Sequence, residues 1–417
     1  QKNLCRTPKQ VLPVVCIFEN RYTALYDVRK KIRTEPRLLH ILLTNEPEKE
    51  CGAMAKGESV RQSGEDAYFV ASNSAGGFRS WYRETFDDRR IGRVYAIKGG
   101  PGTGKSRFMR DVADAGRAHG WRAEMIYCSS DPDSLDGIIL SREGAESVAI
   151  LDATAPHLYE PTHPGYREEI VNLGEFWDAE KLRGAREEIG RLNGEKAAAY
   201  RRAYRYLAGY GEMTGSLEEL TAPFVREQAI ARFAARLTKD IPAEKAFRPR
   251  IALMHGIGMR GRVMFDTFFA QADKIILISD CHGSGYLLMR EIYRQACDKR
   301  LAVRVSRDPI LPERTDALFF EESGTAFAVL PDGACRYPHR TVSMRRFVDT
   351  HGLRRVRESL GYAERVRRMM LSGAVEELER AADLHFRIEA VYEGAMDFAR
   401  KEAYTKRFCA RLFGAEK

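Results

Sequence analysis

The sequence predicts an α/β fold of two tandem three-layer units, each a parallel sheet with a helical arm. Three observations carry that expectation. Short β-prone runs alternate with helical stretches over most of the chain. One such run, Val94–Lys98, leads straight into a glycine-rich loop and then a helix. The same strand–loop–helix order returns about 180 residues later, around Lys274–Leu287.

The chain has 417 residues, of which 44% are hydrophobic and 30% charged, a balance that supports sizeable cores in two or three domains. It holds no apolar run of about 18 residues, so no membrane span is expected. The net charge of +9 is spread over helical stretches with acidic residues among the basic ones. That pattern favours a solvated surface over contact with nucleic acid or anionic lipid. The eight cysteines (Cys5, Cys16, Cys51, Cys128, Cys281, Cys297, Cys335 and Cys409) form no C-x-x-C pair and no zinc spacing. They read as reduced thiols of a cytoplasmic protein.

Residues 1–53 mix polar runs with isolated apolar patches such as Leu12–Phe18. They lack the basic, apolar and small-residue order of a signal peptide. They are expected to lie outside the working domain, with Met54 as the native start. Lys49-Glu50, if encoded AAG-GAG, would supply a ribosome-binding sequence just upstream, which the nucleotide sequence checks. A genuine N-terminal extension is the alternative.

The first unit is expected over 54–247. It opens with a short strand and glycine turn over Ala67–Phe78, then a helix from about Arg79 to Phe86. The core strand Val94–Lys98 enters Gly99-Gly100-Pro101-Gly102-Thr103-Gly104-Lys105-Ser106. This is a complete phosphate-loop (P-loop) pattern in its required strand–loop–helix context. Glycines let backbone N–H groups turn inward around phosphate oxygens. The helix that begins there, running through Arg107 to about His119, points its positive end at the same anion. Lys105 adds a full charge on the β- and γ-phosphates, and Ser106 offers a hydroxyl to Mg²⁺. Gly120 stops the helix, and Arg122–Tyr127 is a second strand.

After that strand come Asp131, Asp133 and Asp136, expected at the sheet edge that carries the loop. One of them, Asp131 first, would hold a Mg²⁺ water or accept a proton from a hydroxyl; an Asx-rich turn is the alternative. Ser147–Asp152 is an apolar strand ending in an acid, suited to orient Mg²⁺. Ala153 follows it where many vigorous ATPases have Glu, so hydrolysis is expected to be slow. Thr154 and His157 are candidate γ-phosphate sensors, with ordinary loop hydrogen bonding favoured. A helical arm is expected over about 179–237. Its Arg183, Arg186, Arg191, Arg201, Arg202 and Arg205 read better as a solvated face than as a source of an arginine finger.

The second unit, 248–417, repeats the first with a broken loop. Lys274–Ser279 matches the core strand. In Asp280-Cys281-His282-Gly283-Ser284-Gly285-Tyr286-Leu287, Tyr286 replaces the Lys and Leu287 the Ser, and Asp280 puts a negative charge where an anion would bind. Arg307-Asp308-Pro309 echoes Ser130-Asp131-Pro132, and Ala328-Val329-Leu330-Pro331-Asp332 echoes the strand ending at Asp152. Helices over about 354–413 are expected to pack like the first arm.

Four blocks, Gly99–Ser106, Cys128–Gly137, Leu151–His157 and Asn172–Asp178, carry a family resemblance. From about Met54 onward the chain resembles a family of bacterial tandem P-loop ATP-binding proteins, seen mainly in Gram-positive anaerobes and bacilli. The resemblance implies ATP and Mg²⁺ but no pathway. Members often keep both loops; this chain departs at Tyr286 and Leu287, and nothing before Met54 takes part. The expected function is thus an ATP-binding protein with slow Mg²⁺-dependent hydrolysis, its second unit degenerate. Lys105, Asp131 and Asp152 are the expected catalytic residues. The alternatives are a small-molecule or nucleotide kinase using Asp131 and Asp133, and a non-catalytic nucleotide-dependent interaction protein.

Overall fold

In the strand Arg93–Lys98 four consecutive apolar side chains, Val94 to Ile97, are buried, as a strand covered on both faces requires. It lies inside a six-stranded sheet ordered Asp66–Phe69, Arg122–Tyr127, Leu135–Ser141, Val148–Asp152, Arg93–Lys98, Glu168–Asn172. The computed structural model describes residues 58–61, 66–86, 90–157, 159–243, 247–330 and 334–414. The expectations for residues 1–53 and Met54, Cys5, Cys16 and Cys51 among them, and for Pro331 and Asp332, lie outside the described residues.

The sheet is α/β but mixed, which corrects the all-parallel expectation. Leu135–Ser141 runs antiparallel to both its neighbours, while the other pairings are parallel. The cause is local: Arg122–Tyr127 and Leu135–Ser141 are joined by seven loop residues, too few for the dozen or more of a parallel crossover. The start of that reversed strand therefore lies at the edge where the parallel strands end. Arg79, expected in a helix, instead ends a hairpin: Ala71–Ser74 pairs with Gly77–Ser80, and only Tyr82–Thr85 is helical. Gly77 takes the positive φ of that turn, 99°.

The second half repeats this topology strand for strand. Its sheet is ordered Arg250–Ile251, Arg304–Arg307, Thr315–Phe320, Thr325–Val329, Lys274–Ser279, Arg340–Ser343, with the same senses. The described residues of both halves belong to one compact unit. The edge strands meet where Phe69 and Leu253 exchange two backbone hydrogen bonds of 2.9 Å. One apolar cluster draws Tyr68, Phe86 and Leu151 from the first half and Met254, Ile275 and Phe319 from the second.

The arms cross over. Helix Arg186–Thr221 and helix Arg357–Glu393 are each about 55 Å long at 1.5 Å per residue. They run antiparallel: Lys196 meets His385, Arg202 meets Glu377, and Tyr206 packs against Gly373. Each arm thereby carries its last helix to the other half. Glu227–Leu237 packs on Gly285–Lys299, and Phe398–Phe413 packs on Lys105–Ala118. The joints match. Asp178 N donates to Ala395 O (2.7 Å) and Asp397 N to Phe176 O (2.8 Å); in the other half Asp349 N donates to Phe224 O and Arg226 N to Phe347 O, both at 2.8 Å. Among the described residues no helix is long and apolar enough to cross a membrane, and Cys128, Cys281, Cys297, Cys335 and Cys409 are free thiols.

Buried charge ties the halves together. Glu124 takes Arg90 at 2.7 Å, Tyr68 Oη at 2.5 Å, and Arg250 from the second half. Burial alone would raise its pKa; the two arginines outweigh that and bring it down to about 2. Glu124→Gln strands both cations and is expected to cost about 3 kcal/mol at pH 7. The folded pKa is below the unfolded one, so the contribution is complete above pH 4.5 and fades as pH falls toward 2. Urea melts of both proteins at pH 7 and pH 3 check this: the gap should narrow in acid.

Candidate functional site

The loop 99–104 gets its shape from two left-handed glycines, Gly102 at φ 69° and Gly104 at φ 75°. Other residues rarely adopt that conformation, and Gly104 directly precedes the helix Lys105–Ala118. Thr103, fully buried, ties the loop by donating Oγ1 to Gly100 O at 2.9 Å. Lys105 folds back over it: Nζ donates to Gly99 O (3.2 Å) and Gly100 O (2.8 Å) and stands 3.6 Å from Asp152 Oδ2. Asp152 ends its strand beside the loop, and its other oxygen accepts Thr154 N at 2.8 Å. Thr154 Oγ1 donates to Gly99 O at 2.8 Å, the loop hydrogen bonding that its alternative reading expected. Ser106 Oγ accepts Leu135 N at 3.0 Å, which links the helix start to the reversed strand. Arg107 points outward to Asp111, and Pro101 is partly exposed at the loop's turn.

The structure thus brings Lys105, Ser106, Asp152 and Thr154 together around the loop. The three carboxylates after Tyr127 separate. Asp131 accepts Asp133 N at 3.0 Å, an Asx turn, and burial raises its pKa. Asp133 is held by Arg61 (2.6 Å) and by Arg260, at the turn of the second-half hairpin His255–Gly258/Gly261–Phe265, so it anchors that hairpin. Asp136 is different: it is buried, and Asp152 and Lys105 are among the charges it feels. Burial, with Asp152 adding, pushes its pKa up to about 6 although His157 opposes the shift. His157 Nε2 lies 3.3 Å from Asp136 Oδ2, and its ring stacks on Tyr82 at 5.1 Å. Among the described residues Asp136 Oδ2 and His157 Nδ1 have no hydrogen-bond partner. Cys128, partly buried, completes a trio whose candidate ligand atoms lie within 4.8 Å of one another. The arm arginines sit at the surface or pair on the arms, as Arg202 does with Glu377 at 2.7 Å.

A roof over the loop is built by Trp177 together with residues from the far half of the chain, of which the sequence offered no sign. A Cβ on Gly100 would lie 2.9 Å from the Tyr392 ring and 3.3 Å from Trp177. One on Gly102 would lie 2.6 Å from Glu389 O. Only glycine admits so close an approach.

The matching loop in the second half is closed by its own side chain. Asp280 accepts Gly283 N at 2.7 Å and also Gly285 N, so a carboxylate occupies the amides that would face an anion. Tyr286 lies under the Arg314 guanidinium, 4.6 Å from ring centre.

Comparison of the chain with protein families, with curated proteins and with solved structures found no match.

Proposed function

We propose that the first loop binds the phosphates of ATP with Mg²⁺ and that the protein hydrolyses ATP slowly. The observation that carries this reading is the Lys105 ammonium, held over a loop of left-handed glycines at a helix start and 3.6 Å from Asp152. Backbone amides, the helix's positive end and a lysine are the donor set that a polyphosphate needs. The Ser106 hydroxyl and the Asp152 carboxylate are hard oxygen donors of the kind Mg²⁺ takes. Bound there, the ion would neutralise phosphate charge. Lys105 would leave the carbonyls of Gly99 and Gly100 for the phosphates. In hydrolysis a water oxygen bonds to the γ-phosphorus as the bond to the bridging oxygen breaks. Asp136, buried near Lys105, is the carboxylate best placed to take the water's proton. Ala153 in place of a second acid fits a low rate.

The kinase reading draws on the same residue. A buried carboxylate with a pKa of about 6 suits deprotonation of an acceptor hydroxyl. Single-turnover assays with labelled ATP and a metabolite pool decide: free phosphate supports hydrolysis, and a labelled metabolite supports transfer. The absence of both, with ATP still raising the melting temperature, would leave a non-catalytic nucleotide-binding role.

A further inference from the structure

Lys401 lies in the first turn of the last helix, Phe398–Phe413, whose first turn Asp397 caps by accepting Arg400 N. The side chain is 5% exposed. Its Nζ and Cε would lie 3.5 and 3.6 Å from a Cβ placed on Gly104. Among the described residues its ammonium makes no hydrogen bond and no ion pair within 4 Å. The charges around it are Asp111 and Arg107 on the loop's own helix and Glu402 beside it; burial dominates and lowers its pKa. An ammonium with little water around it and no ion pair is costly, and an apolar residue would ordinarily stand in such a place.

The other half shows that alternative. The joints align Trp177–Met396 with Val348–Val225, which places Ile230 where Lys401 stands. Ile230 is 1% exposed and packs in an apolar cluster with Leu288, Met289 and Ile292. Its helix serves the half whose loop amides are already taken by Asp280. The same fold therefore accepts a hydrocarbon at this position where the loop is closed, and carries a cation where the loop is open.

We propose that Lys401 is a second cation of the glycine-loop site, supplied by the far half of the chain and pairing with the nucleotide's phosphates at their Gly104–Arg107 end. The inference rests on the reading that this loop binds a nucleoside polyphosphate. It makes the site incomplete without the exchanged helix. Set at Gly104, the last residue of the loop before the helix, Lys401 meets the phosphates that ADP and ATP share and serves both alike.

Calorimetric titration of wild type, Lys401→Met and Lys401→Arg with ADP and with a non-hydrolysable ATP analogue tests it, with Lys105→Ala as the reference. Lys401→Met is expected to weaken both nucleotides about tenfold or more, by equal factors, as loss of a charged hydrogen bond should. Its ligand-free melting temperature should rise, because a buried charge is gone. Lys401→Arg should recover part of the affinity. Wild-type affinity in Lys401→Met, whatever its melting temperature, overturns the proposal. If Lys105→Ala loses binding in the same series, the loop reading survives that failure. Failure of the wild type to bind either nucleotide ends both.

Discussion

Lys105→Ala is expected to abolish the stabilisation of this protein by ATP and Mg²⁺. At a hundredfold excess over its dissociation constant, bound nucleotide raises wild-type stability by about 2.7 kcal/mol. Truncating one partner of a desolvated charge pair costs about 2–5 kcal/mol of binding, thirtyfold or more in affinity. At the same nucleotide concentration the variant should therefore melt within a degree or so of its ligand-free temperature. The ligand-free protein should change little. Lys105 loses two hydrogen bonds to carbonyls and a 3.6 Å pair with Asp152, all in a partly solvated loop. Thermal melts of both proteins with and without ATP and Mg²⁺ separate the two quantities. Equal ATP-induced shifts in both would remove Lys105 from the site.

Asp136→Asn should stabilise the fold while impairing its chemistry. The folded pKa of Asp136, about 6, exceeds the 3.8 of an unperturbed carboxyl, so the folded protein binds the extra proton. Stability is therefore lost as pH rises from 3.8 through 6, and the penalty is complete above that. Asn never ionises. The variant should match wild type near pH 4 and gain with rising pH, levelling at about 2–3 kcal/mol above pH 7. Titrating groups that do not interact with Asp136, Glu124 included, cancel in the difference between the two proteins. Turnover of ATP should fall at neutral pH, because the carboxylate assigned to the water's proton is gone and Asp152 is committed to the metal side of the site. A stability difference that ignores pH would show that Asp136 does not titrate between the two states. Retention of a carboxylate that the fold would rather lose is what a working group requires.

Much of this was legible in the residues. The glycine loop, its flanking strand and helix, Asp152 at a strand end and the broken second copy each depend on local order along the chain. Backbone rules of glycine, β-branched alternation and helix starts act over a few residues, so a sequence exposes them. Asp280 was readable as a misplaced charge, though its hydrogen bonds to Gly283 and Gly285 were not. Which of Asp131, Asp133 and Asp136 is buried was not legible. That turns on the reversed strand, on which Asp136 lies, while an arginine from the other half, Arg260, holds Asp133.

Local order along the chain sufficed for the two repeats, for the glycine loop that ends in Lys105 and Ser106, and for the Tyr286 and Leu287 that stand at the matching positions of the second half. Packing of the whole chain was needed to show that Asp136 is buried near Lys105 and that each arm ends on the opposite half. The crossing of the arms depends on contacts more than a hundred positions apart, such as Lys196 with His385 and Arg202 with Glu377, which no local pattern records. Lys401 is the sharpest instance: along the chain it is one basic residue among many, and only the crossing of two long helices sets it beside Gly104.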